Sequence, residues 1–94
     1  MWNFADHAAD ADKATNLSLA AERLNALKGL VPGMLTLEAA IPSEPLEHSY
    51  DLVLYSEFAS AEDLHAYATH PDHVAVGKFI TRARTERVCV DYEV

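Results

Sequence analysis

The chain reads as an α+β protein of the ferredoxin-like class, a four-stranded antiparallel sheet with helices on one face. Three observations predict this. Apolar residues alternate with a two-residue period in Trp2–Phe4, Met34–Ile41 and Arg87–Val94 and fill both faces of most of Asp51–Phe58, and they recur three and four apart in the two stretches that link the first pair and the last pair of these four segments. The resulting order is strand, helix, strand, strand, broken helix, strand, which is a split βαβ arrangement. At 94 residues there is room for one core, so residues 1–94 are read as one domain. Helices on one face leave the other face of the sheet uncovered. Two copies stacking those faces about a two-fold axis would close a dimeric α/β barrel, so a homodimer is expected.

Trp2, Asn3 and Phe4 supply only the end of a strand before Asp6, and the first strand reads as truncated at Met1. Leu17, Ala20, Ala21, Leu24, Leu27 and Val31 then form one helical stripe. It gives a helix over about Ala14–Lys28, stopped by Gly29 and followed by a turn at Pro32-Gly33. The strand Met34–Ile41 ends at Pro42, and a second proline, Pro45, makes the connection an open loop. Asp51–Phe58 is apolar on both faces for most of its length, the pattern of a strand that is central or that belongs to a sheet whose second face is covered by another subunit. Ser60-Ala61-Glu62-Asp63 is a capping sequence for a short helix. Pro71 ends that helix and suits the first position of another, whose stripe is Val76, Phe79, Ile80 and Ala83. In the last strand Val88, Val90, Tyr92 and Val94 alternate with Arg87, Cys89, Asp91 and Glu93.

Hydrophobic residues make up 50% of the chain and the formal net charge is −8, a composition that builds a core and repels a phosphate backbone. Lys78, Arg82, Arg84 and Arg87 crowd into one short segment with Glu86 as its only acid, but its one aromatic residue, Phe79, belongs to the helix's core stripe, so no aromatic row interleaves with the basic residues. Nucleic acid is therefore not an expected partner. The cluster either complements the dipole at a helix C-terminus or holds an anionic substrate tail. Cys89 is the lone cysteine, so no intrachain disulfide can form. No apolar run approaches the roughly 20 residues of a membrane span and the start lacks signal-peptide order, so a cytoplasmic protein without membrane contact is expected.

The chemistry-bearing residues concentrate in Leu64–Val74, which holds three of the 5 histidines together with Tyr67 and Pro71. His65, His70 and His73 as metal ligands lack a cysteine or carboxylate partner, and Pro71 disrupts their helical spacing, so neither metal nor other cofactor is expected. From Ser49 onward the chain resembles the stress-responsive dimeric α/β barrel (Dabb) family. The resemblance rests on Tyr50-Asp51-Leu52-Val53-Leu54, Ser56-Glu57-Phe58, the block Tyr67-Ala68-Thr69-His70-Pro71-Asp72-His73-Val74, Phe79-Ile80 and Val88-Cys89-Val90-Asp91-Tyr92-Glu93. Leu24, Leu27-Lys28-Gly29 and Val31-Pro32-Gly33 fit the family's first helix and turn, so it covers nearly the whole chain.

The resemblance implies a homodimer in a family of mixed function that includes a plant polyketide cyclase. That cyclase's catalytic tyrosine and histidine match Tyr67 and His73, whereas a further pocket histidine is replaced by Leu52. On an unbroken helix, six residues would turn Tyr67 and His73 roughly 240° apart. A break at His70-Pro71 removes that objection. The implied chemistry is proton abstraction next to a carbonyl, with His73 as base and the Tyr67 hydroxyl on the developing enolate oxygen. Leu54, Phe58, Phe79, Ile80 and Tyr92 are the candidate walls of a substrate pocket. Against this stands a purely structural reading in which both side chains fix the corner by local contacts. The functional expectation is a small homodimeric barrel that binds a small hydrophobic or carbonyl ligand without turnover; the alternative is a cofactor-independent polyketide cyclase or isomerase.

Overall fold

The computed structural model describes residues 1–94. In chain order its elements are β1 (Trp2–Phe4), β2 (His7–Ala8), β3 (Ala11–Asp12), α1 (Lys13–Asn25), β4 (Met34–Ala40), β5 (Val53–Phe58), α2 (Ala61–Thr69), α3 (Pro71–Ala83) and β6 (Arg84–Arg87). β4 pairs antiparallel with β5, placing Ala39 opposite Leu54 and Glu38 opposite Tyr55. β1 pairs antiparallel with β6. A bridge between Trp2 and Leu52 joins the two pairs: the Trp2 N–H donates to the Leu52 carbonyl at 2.9 Å and the Leu52 N–H to the Trp2 carbonyl at 3.1 Å. The strand order is thus β6-β1-β5-β4, antiparallel throughout, which is the ferredoxin-like topology.

Asp51 locks the short first strand in place. Its carboxylate accepts the Phe4 N–H at 2.9 Å and lies 3.5 Å from the Lys13 ammonium at the start of α1. A charge-assisted bond here compensates for a strand only three residues long. On the covered face Trp2, Phe4, Leu37 and Leu52 meet Leu17 and Leu24 of α1 and Phe79 and Ile80 of α3 in one core. Leu24 and Leu52 are almost wholly buried, each worth about 1.5–3 kcal/mol of apolar transfer. The Arg23 guanidinium lies 4.4 Å over the Phe79 ring and closes the seam between α1 and α3. No helix is long and apolar enough to cross a membrane.

Three features differ from the sequence reading. The last strand is Arg84–Arg87 rather than Arg87–Val94: Val88 exchanges backbone bonds with Met1 at 2.9 Å in both directions, and residues 89–94 have no strand beside them. Hydrophobic alternation prepares a strand but does not supply a ladder.

The first helix is Lys13–Asn25 rather than Ala14–Lys28. Its start is capped by Asp12, which accepts the Thr15 N–H at 2.8 Å; hydrogen bonding from Thr15, its side chain first and its backbone N–H second, holds the Asp12 carboxyl below its usual range. At its other end Asn25 turns to the sheet, donating to the Ala39 carbonyl at 3.0 Å and accepting the Ala39 N–H at 2.9 Å. The chain then reverses through Gly29, which takes the left-handed conformation (φ 75°) as the sequence predicts.

The polar, alanine-rich stretch before α1 is a hairpin of β2 and β3, turned through Ala9 (φ 49°) and Asp10 (φ 63°). A left-handed alanine costs about 1–2 kcal/mol, so the local sequence gives little sign of it. The buried Asn16 stabilises the turn from α1 by donating to the Ala8 carbonyl at 2.8 Å.

As the sequence leads one to expect, β5 is central, between β1 and β4, and the face of the sheet away from the helices is left open in the single chain. Tyr55 is 51% exposed there and Val53 is half-buried, with Glu38 and Glu57 exposed beside them. Within one chain Asp51–Phe58 is therefore not buried on both sides, because every helix lies on the Leu54 side.

Candidate functional site

The corner between α2 and α3 is built by the residues that end one helix and begin the next. Ser60 caps α2, accepting the Asp63 N–H at 3.1 Å. Pro71 cannot donate to the carbonyl one turn before it, so the last carbonyls of α2 and the first N–H groups of α3 lose their helical partners. Two histidines supply replacements. His70 Nδ1 accepts the Asp72 N–H at 3.1 Å, making His70 the cap of α3. His73 Nδ1 lies 2.9 Å from the Ala68 carbonyl of α2. A carbonyl only accepts, so His73 Nδ1 carries the proton and donates. In the neutral ring Nε2 then keeps its lone pair.

The same corner brings Tyr67 and His73 together. Their ring centroids are 4.5 Å apart and tilted by 53°. Phe58 of β5 packs on the other side of Tyr67, at 5.3 Å and 45°. Tyr67 is 3% exposed, and its hydroxyl is sealed from solvent with no hydrogen-bond partner in the protein. Burial pushes its pKa up to about 12, which makes it a persistent neutral donor.

Of the predicted pocket walls, Leu54 and Phe58 are half-buried against the core, and Phe79 and Ile80 are within it. Tyr92 departs from the set. It is 75% exposed in the segment after β6. An open groove along α3, lined by Val74, Gly77, Lys78, Thr81 and Arg82, and a second beside β4, lined by Gly29, Met34, Leu35 and their neighbours, both leave Tyr67 and His73 outside. His65, His70 and His73 do not converge, nor does any group of three His, Cys, Asp or Glu placed to hold a metal ion. The sequence reading missed the Ala68 carbonyl as the partner that orients His73. The signal for it is a histidine two residues after a helix-opening proline, within reach of the orphaned end of the preceding helix.

Comparison with known proteins gives the family and the fold. The family model described as the stress responsive A/B barrel domain matches residues 1–94. A stretch of 40 residues, 43% of this chain, is 50% identical to the stress-response A/B barrel domain-containing protein DABB1 of Arabidopsis thaliana; it spans only 19% of that longer protein. The crystal structure of a dimeric protein of unknown function and ferredoxin-like fold from Bacteroides fragilis superposes with a TM-score of 0.80 at 31% identity, over 99% of this chain and 89% of the other. With a family match along its whole length and a ferredoxin-like topology shared with that structure, the chain belongs to the stress-responsive A/B barrel family.

Proposed function

We propose that the chain forms a homodimer, a dimeric α/β barrel closed by the two uncovered sheet faces, and that it binds a small hydrophobic carbonyl compound at the Tyr67–His73 corner without turning it over. The dimer is supported by the half-covered sheet and by the dimeric relative at 31% identity. The observation that carries the ligand reading is the Tyr67 hydroxyl, buried and without an acceptor. A ligand carbonyl would accept its hydrogen bond, and Leu54, Phe58, Phe79 and Ile80 would supply apolar contact. Neither of the two grooves described above is lined by Tyr67. The test is a thermal-shift titration with a panel of apolar ketones and β-diketones. Wild type should be stabilised by at least one of them, and Tyr67→Phe should bind it about tenfold more weakly. Equal affinity in the variant would remove the hydroxyl from the site.

The bond from His73 Nδ1 to Ala68 favours a second reading, a cofactor-independent cyclase or isomerase. With Nε2 as the free base, His73 would take a proton from the carbon next to a carbonyl while Tyr67 donates a hydrogen bond to the enolate oxygen. In an intramolecular aldol closure that carbon attacks a second carbonyl, and the imidazolium returns the proton to the new alkoxide. His73→Ala should abolish turnover of a β-polyketide substrate and leave the dimer intact by sedimentation; unchanged turnover would exclude the mechanism.

A further inference from the structure

We propose that the segment from Arg84 to Val94 is one seam of the dimer, each copy pairing its segment antiparallel with the same segment of a second copy about a two-fold axis at Cys89. This rests on the homodimer reading above and specifies one of its contacts.

β6 is an outer strand of the sheet, paired on one side by β1 and free on the other. Val88 turns both of its backbone groups toward Met1, so those of Arg87 and Cys89 point to the free edge, and an extended chain continues that row at Asp91 and Glu93. The side chains match this edge. Val88, Val90 and Tyr92 alternate on one side, with Val90 78% and Tyr92 75% exposed. Arg87, Cys89, Asp91 and Glu93 lie on the other.

Charge selects the register. Arg84 and Arg87 form no ion pair within the chain, and neither do Asp91 and Glu93. With the axis at Cys89, Arg87 of each copy faces Asp91 of the other, twice per dimer. Val88 faces Val90, Glu86 faces the Tyr92 hydroxyl, Thr85 faces Glu93, and Arg84 alone among the charged residues faces an apolar one, Val94. Moving the axis to Val88 sets Arg87 against a thiol. Moving it to Val90 retains Arg87 against Glu93 but sets Glu86 against Val94. The Cys89 register therefore satisfies the most polar side chains. It also aligns the Val and Tyr rows of both copies with Tyr55, in one apolar strip on the side that the barrel would enclose.

Arg87→Glu and Asp91→Arg should each raise the dimer dissociation constant about tenfold by sedimentation, and the double variant should return it to within about twofold of wild type. Because Arg87 neighbours Trp2 and its replacement could disturb the fold, the unmutated chain gives an independent reading. A short bis-maleimide should link it through Cys89 into a covalent dimer, since residues at the axis have Cα atoms about 5.5 Å apart. A dimer that yields no such link, a double variant as weak as either single one, or rescue of Arg87→Glu by Glu93→Arg in place of Asp91→Arg would overturn the seam while leaving the homodimer standing. A chain that is monomeric at micromolar concentration would overturn both.

Discussion

Tyr67 is the residue where stability and function pull in opposite directions. A buried hydroxyl without a partner costs about 1–3 kcal/mol, so Tyr67→Phe should stabilise the unliganded protein by about 1 kcal/mol, measured by denaturant unfolding. The same group makes stability depend on alkaline pH. An unfolded tyrosine ionises near pH 10 whereas folded Tyr67 holds its proton to about 12. Above about pH 10 the unfolded chain therefore binds fewer protons than the folded one, and stability falls as pH rises. The loss from this residue approaches roughly 2–3 kcal/mol near pH 12. Tyr67→Phe should remove that part of the slope, and an unchanged alkaline profile would show that Tyr67 ionises freely. His73 has a smaller structural share. His73→Ala leaves the Ala68 carbonyl to solvent at this partly exposed corner and should cost about 0.5–1.5 kcal/mol.

At the scale of elements, the ends of helices do much of the positioning. Asn25 closes α1 and at the same time occupies the N–H and carbonyl of Ala39 that β4 would otherwise present at the outer edge of the sheet. Asn25→Ala should cost about 1–3 kcal/mol, read by urea unfolding, because two backbone groups lose their partner together. It should also make the edge of β4 more prone to association, seen as concentration-dependent light scattering. A variant as stable and as monodisperse as wild type would show that water replaces the amide without penalty. The α2–α3 corner follows the same logic, since Pro71 interrupts the hydrogen-bond ladder and the two histidines around it satisfy one orphaned group on each side.

For the whole molecule, the layers leave one sheet face without cover in the single chain, and Tyr55, Val53 and the segment after β6 stand on it. Burial against a second copy would raise the stability of a chain this short, so the melting temperature should increase with protein concentration. A concentration-independent transition across a hundredfold range would argue for a monomer.

The fold class was legible in the amino-acid order because period-two and period-3.6 patterns each prescribe which side of an element is buried. That holds for β4, α2 and α3, where capping residues and Pro71 also mark the ends. The convergence of Tyr67 and His73 was legible through the same proline. What only the tertiary structure decided depends on partners distant in sequence. That the last strand stops at Arg87 reflects the lack of a pairing strand beside residues 89–94, where α1 stops depends on Ala39, and the hairpin before α1 depends on Asn16. The Tyr67 hydroxyl belongs with these: the sequence by itself determined that a tyrosine faces the core, but its lack of an acceptor is a property of the packed interior, where no neighbouring side chain brings one within reach.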